Sequence, residues 1–397
     1  MSSAQTIPLS NRVQRVKPSP TLAVTALAAQ LRSEGKDIIG LGAGEPDFDT
    51  PDHIKAAAVQ AIADGFTKYT PVDGTLSLKQ AVIDKFKREN GVEYVPNQVM
   101  ASTGGKQVFY NLCQALLNSG DEVIIPAPYW VSYPDMVMLA DATPVIVSAG
   151  IDQEFKITPE QLEAAITPNT KLFVHNTPSN PTSVMYSRDE LVALGEVLRR
   201  HPQVIIATDD IYEHILLDTI PFCNLLMANP DLYERTVMMN GVSKGYSMTG
   251  WRIGYAGGPA ELIGAMKKVQ SQSTSNPTSI AQVAAETALN GDQSFMTTMN
   301  QAFQERNHFV VDSLNTIPGV HCLPSQGAFY AFANVEGVVE RLPNISNDTE
   351  LAEMLLNEAE VAVVPGAAFG AEGYIRLSFA TSMENLEAAL ERITNAL

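Results

Sequence analysis

The stretch QVFYNLCQALLNSGDEVIIPAP, residues 107–128, has the pattern of one helix followed by one buried strand. Its first half repeats apolar residues at helical spacing and is predicted to end at Gly120, because glycine is common where helices stop. Its second half is a short apolar run closed by prolines, which is typical of a strand. Further apolar runs bounded by polar residues follow at TPVIVSA (143–149), KLFVHN (171–176) and QVIIATDD (203–210).

Helix-like and strand-like segments alternate in this way from about residue 54 to residue 300. Such alternation predicts a mostly parallel sheet covered by helices. The pattern then changes, and a long helix at about 293–315 is followed by short strands and helices of a smaller α+β unit. We therefore expect a large α/β domain at 54–300 and a small C-terminal domain at 301–397. Residues 1–53 form an N-terminal arm, with a predicted helix at 21–33, that contributes to the small domain.

The chain carries 44 acidic and 26 basic side chains among its 397 residues, which gives a formal net charge of −18. This charge repels polyanions, so we expect no nucleic-acid partner. Any anionic ligand must then be held by local cations within a site.

The three cysteines, Cys113, Cys223 and Cys322, are odd in number and have no CxxC spacing. We therefore expect buried thiols in a reducing compartment, with neither disulfides nor a zinc site. The histidines show no metal-ligand spacing either, and no metal is expected. The N-terminal residues lack the apolar run of a signal peptide, and no apolar stretch approaches the roughly 20 residues that span a bilayer. A cytoplasmic location without membrane contact is expected.

Lys244 lies in NGVSKGYSMTGWRIGY, residues 240–255, a Ser- and Gly-rich stretch just after the apolar TVMM. A lysine that forms a Schiff base must lose its proton readily, which a desolvated, cation-rich pocket favours. Arg252 follows closely and could clamp a phosphate with its planar guanidinium. An isolated lysine is usually a surface residue, but this context favours a site.

Two further motifs point to a ligand site. Asp209 ends the apolar run QVIIATD, at the carboxyl end of a strand, where open α/β sheets bind their ligands. STGGKQ (102–107) precedes a helix, and Gly104 and Gly105 would let a phosphate approach the backbone N–H groups of that helix start. GAGEPDF (42–48) lacks the full glycine fingerprint of a dinucleotide site, which argues against a dehydrogenase.

The stretch at 240–255 resembles the cofactor-lysine motif of the class I aminotransferases, the aspartate aminotransferase family. The resemblance extends over nearly the whole chain, because further motifs occur in the family's order and spacing: AGEPDFDTP (43–51), KYTPVDG (68–74), STGGKQ, PAPYWVSYP (126–134), SNPTS (179–183), TDDIYEH (208–214) and YIRLS (374–378). GGKQ and SQSTSNPTSIAQ are similar to the bacterial 1β subgroup. The resemblance implies the type I pyridoxal-phosphate fold, an α/β fold with a large, mostly parallel domain and a smaller α+β domain.

The resemblance also assigns roles in holding pyridoxal 5′-phosphate (PLP). Lys244 would form the Schiff base and move the substrate proton, and Asp209 would keep the pyridine nitrogen protonated. The other cofactor contacts implied are Gly104, Gly105 and Lys106, Trp130 against the ring, Asn180 and Tyr212 at the phenolic oxygen, Ser243 and Arg252 at the phosphate, and Tyr69 from the neighbouring subunit of a homodimer.

For the substrate, the resemblance implies ping-pong transamination between L-aspartate and 2-oxoglutarate. The contacts implied are Arg376 and Gly44 at the α-carboxylate, Lys106 at the distal carboxylate, and Trp130 and Asn180 beside them. Ser19 and Thr21 of the arm could close over the distal carboxylate.

Some positions depart from the family pattern. Asp210 stands where glutamate is usual and is interpreted as a cap for the following turn. Ser183 stands where glycine is usual and could restrict the turn. Gly241 stands where a phosphate-binding serine is frequent, which removes one hydroxyl.

Alternatives on the same scaffold are an aromatic or prephenate aminotransferase and a PLP-dependent β-lyase. A PLP-binding regulator that has lost catalysis belongs to a different class. It is disfavoured because Lys244, Asp209 and Arg376 are all present and no DNA-binding domain is evident.

Overall fold

The computed structural model describes residues 7–397, and residues 1–6 of the predicted N-terminal arm lie outside the described residues. The N-terminal elements are α1 (Asn11–Arg15), α2 (Pro20–Ser33) and β1 (Ile39–Gly40). The elements that follow are α3 (Asp52–Ala63), α4 (Leu76–Lys85), β2 (Val99–Ser102), α5 (Gly105–Leu116), β3 (Glu122–Ala127), α6 (Ser132–Leu139), β4 (Thr143–Ser148), α7 (Pro159–Ala165), β5 (Thr170–Asn176), α8 (Arg188–Arg200), β6 (Ile205–Asp209), α9 (Leu225–Ala228), β7 (Thr236–Gly241), β8 (Gly254–Gly257), α10 (Ala260–Ser271) and α11 (Ser279–Asn290). The C-terminal elements are α12 (Phe295–Asn315), β9 (His321–Cys322), β10 (Tyr330–Asn334), α13 (Glu336–Arg341), α14 (Asp348–Glu358), β11 (Val361–Ala362), β12 (Val364–Pro365), β13 (Tyr374–Ser378) and α15 (Met383–Ala396).

A mostly parallel sheet of seven strands, in the order β2-β8-β7-β6-β5-β3-β4, is the largest sheet of the described chain. Strands β3 to β7 run parallel, and β8 is antiparallel to both of its neighbours. The apolar runs at 143–149, 171–176 and 203–210 form β4, β5 and β6, as the sequence predicts.

The inner strands of this sheet have buried, apolar middle segments because both faces are covered by helices, whereas the edge strand β4 is partly exposed. In β3, Val123 and Ile125 pack into one core cluster with α5, whereas Ile124 packs into another with α8. Helix α8 begins with a capping box, in which the side chains of Ser187 and Glu190 accept each other's backbone N–H groups. Since both faces are covered, a ligand reaches the sheet from the ends of its strands.

The prediction that a helix ends at Gly120 is wrong by one turn. Helix α5 ends at Leu116, and Leu117 is already extended. In the turn that follows, the Asn118 backbone N–H donates to the Asp121 carboxylate at 2.7 Å. Gly120 takes a left-handed φ of 93° in this turn, so the glycine marks the turn rather than the end of the helix.

The C-terminal part of the chain forms an antiparallel sheet in the order β12-β13-β10-β9. The N-terminal strand β1 pairs in parallel with β11, and α2 packs against β11 and β12, so residues 20–40 lie with the C-terminal elements. Helix α1 instead packs against α6, where Arg12 and Arg15 contact Asp141. The helices predicted at 21–33 and 293–315 are confirmed as α2 and α12. The domain boundaries stay a prediction, and α12 runs across the one placed at residue 300.

Within residues 7–397, the structure contains no helix that is both long and apolar enough to cross a membrane. Cys113, Cys223 and Cys322 are free and buried, as the sequence predicts. Burial raises the pKa of the Cys322 thiol to about 12, so this side chain stays protonated and unreactive.

Candidate active site

The carboxyl ends of β5, β6 and β7 meet at one edge of the large sheet. Asn176 ends β5, Asp209 ends β6, and Lys244 follows β7. Arg252 precedes β8, and because β8 runs antiparallel to β7, its start lies at the same edge. This edge carries the site.

A cavity of about 210 Å³ opens here and receives most of the predicted site residues. The predicted residues that line it are Gly44, Gly105, Lys106, Trp130, Asn180, Asp209, Tyr212, Ser243, Lys244, Arg252 and Arg376, together with Thr21 of the arm. Residues that line it without having been predicted are Asn176, Ile211, Thr249 and Tyr330.

Positive charge dominates this cavity. Lys106, Lys244, Arg252 and Arg376 line it, and Asp209 is the only carboxylate among its lining residues within 7–397. None of these cations forms a salt bridge with another residue of the described chain. In a chain of net charge −18, such a concentration of unpaired cations favours a ligand with several anionic groups.

Lys244 is half-buried at the cavity, in surroundings that favour loss of its proton. Burial lowers the pKa of Lys244 to about 8; the charge of Glu45 opposes this shift, and the charges of Arg376 and Arg252 add to it. Its Nζ donates a hydrogen bond to the carbonyl oxygen of Gly44. A neutral amine is therefore accessible near neutral pH, as a nucleophilic lysine requires.

Asp209 has a half-buried carboxylate with partners on both oxygens. It accepts hydrogen bonds from Tyr133 Oη at 2.5 Å and from the Ile211 backbone N–H at 3.4 Å. Burial raises the pKa of Asp209, while these two hydrogen bonds and the charge of Lys244 lower it. A cationic N–H group is the ligand that such a carboxylate favours.

Tyr212 and Tyr330 join the two main sheets beside the cavity. Their hydroxyl oxygens lie 2.8 Å apart, and both side chains are buried. Tyr212 follows β6 of the large sheet, whereas Tyr330 begins β10 of the C-terminal sheet. Burial raises the pKa of Tyr212 well above its ordinary value, so this hydroxyl acts as a neutral hydrogen-bonding group.

Arg376, on β13, is held by two hydrogen bonds that leave N–H groups of its guanidinium free. Its Nη1 donates to Asn180 Oδ1 at 2.8 Å, and its Nη2 donates to the Gly42 carbonyl at 2.7 Å. Its Nε is buried without a partner among residues 7–397. Asn176 in turn fixes Asn180 by accepting its backbone N–H at 2.9 Å. A fixed guanidinium of this kind suits a carboxylate ligand.

The turn Ser102–Gly105, which we call the cradle, leads from β2 into α5. Gly104 has a φ of 86°, and a Cβ on it would lie 2.3 Å from Arg252 Nη2. Glycine is favoured because L side chains rarely adopt this conformation, and a Cβ would also displace the Arg252 guanidinium. The free N–H groups at the start of α5, with Arg252 and Ser243 nearby, suit an anion such as phosphate.

Lys106 lies in the first turn of α5, with its Nζ 5.2 Å from the centre of the Trp130 ring. Burial and the nearby charge of Arg252 lower the pKa of Lys106, and the charge of Asp135 opposes them. Trp130 packs edge-on against Tyr133, which fixes the aromatic wall beside the ammonium group. The cavity therefore has a cation next to an aromatic surface.

Three predicted residues do not line this cavity. Gly104 lies at its rim, under Arg252. Ser19 lies behind Thr21, with the two hydroxyl oxygens 3.0 Å apart. Tyr69 is 92% exposed, and this exposure is compatible with a role in a neighbouring subunit.

Two of the departures from the family pattern have local explanations. A Cβ at Gly241 would lie 2.9 Å from the Ile253 carbonyl oxygen, so the packing of β7 on β8 excludes a serine here. The sequence suggested that Asp210 caps the following turn, but its side chain does not. Its buried carboxylate accepts hydrogen bonds from Asn224 Nδ2 at 2.7 Å and Thr208 Oγ1 at 3.0 Å.

Sequence reasoning missed Asn176, Tyr133 and Tyr330. Asn176 could have been found, because it ends an apolar run just as Asp209 does. Tyr133 lies within PAPYWVSYP, but nothing near it in the sequence shows that it contacts Asp209. Tyr330 carries no local signal, since it reaches the cavity beside Tyr212 from far away in the sequence.

Known proteins resemble this chain in sequence and in structure. The family model for class I and II aminotransferases matches residues 36–393. A protein of Nitrosomonas europaea named aspartate/prephenate aminotransferase is 62% identical over 394 residues, which cover 98% of this chain and 99% of that protein. One of the same name from Cereibacter sphaeroides is 58% identical and covers 97% of both.

Two solved structures are also similar. The aspartate aminotransferase from Rhizobium meliloti superposes with a TM-score of 0.95 at 48% identity, over 98% of this chain and 99% of that one. The aspartate aminotransferase from Thermus thermophilus with maleate superposes with a TM-score of 0.93 at 44% identity, over 99% of this chain and 100% of that one.

Proposed function

The chain belongs to the class I and II aminotransferase family, and on that premise we propose that it transfers the amino group of L-aspartate to 2-oxoglutarate. The observation that carries this proposal is the placement of Lys106 and Arg376 in one cavity with Lys244. Two separate cations suit a substrate with two carboxylates. The structural relative from Thermus thermophilus, named with maleate, is a protein associated with such a dicarboxylate.

The fold and the cofactor expected from the resemblance are confirmed by the family. The chain has the type I fold of PLP-dependent transferases, and PLP is its cofactor. The residues of the cavity fit this group. The glycine cradle leaves room for a phosphate beside Arg252, and the half-buried carboxylate of Asp209 suits a protonated ring nitrogen.

When bound, PLP supplies an electron sink for the bond that breaks at the substrate's α-carbon. Asp209 would accept the N–H of the pyridine ring, and Lys244 would hold the cofactor covalently. The groups that would hold the rest of the cofactor are Trp130 at the ring face, Asn180 and Tyr212 at the phenolic oxygen, and Gly104, Gly105, Ser243 and Arg252 at the phosphate, with Lys106 nearby.

Three side chains, Arg376, Lys106 and Lys244, would carry most of the substrate binding and the proton transfer. Arg376 would orient the α-carboxylate, helped by the backbone at Gly44, and Lys106 would bind the distal carboxylate, with Ser19 and Thr21 closing over it. Lys244 Nζ would take the proton from the substrate's α-carbon and deliver it to the carbonyl carbon of the cofactor. Its pKa of about 8 suits both halves of this transfer.

A second candidate acceptor is prephenate, because two relatives are named aspartate/prephenate aminotransferase. Prephenate also carries a second carboxylate, separated from its 2-oxo carbon by two carbons as in 2-oxoglutarate, and Lys106 could bind it. An aromatic aminotransferase and a β-lyase remain alternatives on the same scaffold.

We also propose a homodimer whose sites are shared between subunits, with Tyr69 reaching the partner's phosphate site. The exposure of Tyr69 supports this arrangement. Free, buried thiols support a reducing compartment such as the cytoplasm.

The proposed reaction is tested by steady-state kinetics of the purified protein. Aspartate, phenylalanine and alanine are compared as donors, and 2-oxoglutarate and prephenate as acceptors. We expect the highest kcat/KM for aspartate with 2-oxoglutarate. A higher kcat/KM for phenylalanine than for aspartate contradicts the proposal.

A further inference from the structure

Gln270, near the end of α10, is fully buried and uses the whole hydrogen-bonding capacity of its side-chain amide. Its Nε2 donates to the carbonyl oxygens of Val72 at 2.6 Å and Ala101 at 2.9 Å. Its Oε1 accepts from Ser102 Oγ at 2.6 Å and Asn111 Nδ2 at 2.9 Å. An amide offers two donors and two acceptor positions, so the side chain matches its partners completely.

One of these partners belongs to the cradle and another lies on the helix that follows it. Ser102 is the first residue of the cradle, and the Ser102 carbonyl accepts the Gly104 backbone N–H at 2.8 Å. Asn111 lies on α5, where its Oδ1 accepts from Gln107 Nε2 at 2.8 Å. Gln270 therefore holds both the strand that leads into the cradle and the helix that leads out of it.

A third partner, Val72, belongs to the loop that follows Tyr69. A second buried glutamine, Gln282, holds the same loop, because its Nε2 donates to Thr70 Oγ1 at 2.8 Å and its Oε1 accepts the Thr75 N–H at 2.8 Å. The loop is thus fixed along its length while Tyr69 at its start remains exposed.

We propose that Gln270 is a positioning residue for the cofactor phosphate. It fixes the position of the cradle of its own subunit relative to the loop that presents Tyr69 to the neighbouring subunit. One planar amide carries all four hydrogen bonds, so a displacement of the loop also displaces the cradle. The proposed effect of Gln270 on the cradle involves only one subunit. Its proposed effect on Tyr69 rests on the proposed site shared between two subunits.

The test compares PLP with pyridoxal, which lacks the phosphate. Gln270→Glu keeps the shape of the side chain but replaces the NH2 group, which donates both hydrogen bonds, by a carboxylate oxygen that faces two carbonyl oxygens. Full-length apoprotein is titrated with each compound, and capture is followed by absorbance, independently of activity. We expect the Kd for PLP to rise about tenfold and the Kd for pyridoxal to change less than about twofold.

Asn229→Asp is a matched control. Asn229 is also buried, and its Nδ2 also donates to two carbonyl oxygens, those of Leu191 and Leu225, but these residues do not belong to the cradle. This variant should leave the ratio of the two Kd values unchanged. An equal loss of PLP and pyridoxal affinity in Gln270→Glu, or a selective loss of PLP affinity in Asn229→Asp, overturns the proposal.

If Gln270→Glu does not fold, Ser102→Ala tests the same positioning by removing one of the four hydrogen bonds. The Kd for PLP should then rise about threefold while the Kd for pyridoxal stays unchanged. Unchanged PLP affinity in folded Ser102→Ala overturns the role of Gln270 at the cradle.

The link to the neighbouring subunit is tested by Tyr69→Phe. This change should weaken PLP binding more in the native background than in Gln270→Glu, because the loop is already displaced there. If Tyr69→Phe raises the Kd for PLP by the same factor in both backgrounds, the proposed link is wrong. If Tyr69→Phe has no effect in the native background, the shared site is wrong and the link falls with it, while the pyridoxal comparison still decides the role of Gln270 at the cradle.

Discussion

Ser183 Oγ accepts a hydrogen bond from the Tyr330 backbone N–H at 3.1 Å, so the turn that carries Asn180 is tied to the first residue of β10. The Ser183 carbonyl also accepts the backbone N–H groups of Gln326 and Gly327, at 2.9 and 3.0 Å. Ser183 takes a left-handed φ of 59° to do this, a conformation that glycine adopts without strain. The serine that replaces the family's glycine therefore has a strained backbone, but its side chain forms a buried hydrogen bond that joins the turn after β5 to β10.

This combination predicts an order of stability among variants at position 183. Ser183→Ala keeps the strain and leaves the buried Tyr330 N–H without a partner, which should lower the free energy of unfolding by about 2 kcal/mol. Ser183→Gly loses the same bond but relieves the strain, and should be about 1 kcal/mol more stable than Ser183→Ala. Urea denaturation at saturating PLP measures both variants. Equal stability of the alanine and glycine variants would mean that the φ of 59° carries no strain.

Lys106→Ala should separate dicarboxylic from neutral substrates. Loss of a charge-assisted hydrogen bond lowers the transition-state stabilisation for aspartate by roughly 1.5–3 kcal/mol in kcat/KM. Alanine, which has no distal carboxylate, should be affected much less. The matched control is Lys87→Ala, whose side chain is 63% exposed and should leave both substrates unchanged. Equal losses for aspartate and alanine would assign Lys106 to the cofactor or to folding.

The lowered pKa of Lys244 predicts the pH dependence of cofactor capture. The amine reacts when neutral, so the rate at which apoprotein captures PLP should rise with pH and level off above the pKa of about 8. Removing the negative charge of Glu45 lowers this pKa further, because that charge stabilises the ammonium form. Glu45→Gln should therefore move the midpoint to lower pH. Stopped-flow absorbance measures both profiles, and a midpoint near the ordinary lysine value of 10.5 would contradict the account.

How far the sequence predicts this site depends on where each signal lies. Lys244, Asp209 and the glycines of the cradle are marked by neighbours in the sequence, and the cavity contains or borders all of them. Strands β4, β5 and β6 follow from apolar runs, because a sheet covered on both faces needs continuous hydrophobicity.

Other features depend on tertiary contacts that no local pattern encodes. Tyr330 acts on the site only because β10 brings it beside Tyr212. Asp210 looks like a turn cap in the sequence, yet its partner Asn224 comes from another segment. The end of α5 was misplaced because a glycine in a turn and a glycine that ends a helix look alike in sequence.

A shared site predicts that two defective proteins complement each other. Lys244→Ala and Tyr69→Ala are unfolded and refolded together, so that subunits pair at random. In a mixed dimer of twofold symmetry, one site receives both defects and the other receives both intact residues. About half the dimers should be mixed, so about a quarter of all sites should be intact. Activity should rise well above the mean of the two parents. Activity equal to that mean, despite proven subunit exchange, would place Tyr69 in its own chain's site.

The most direct test of the account is the identity of the lysine that holds the cofactor. Borohydride converts the carbon–nitrogen double bond between PLP and its lysine into a stable amine, which mass spectrometry then locates in a digest. The account predicts one labelled peptide, with the label on Lys244, and no label or visible cofactor absorbance in Lys244→Ala. A label on Lys106 or any other lysine of the native protein would contradict it.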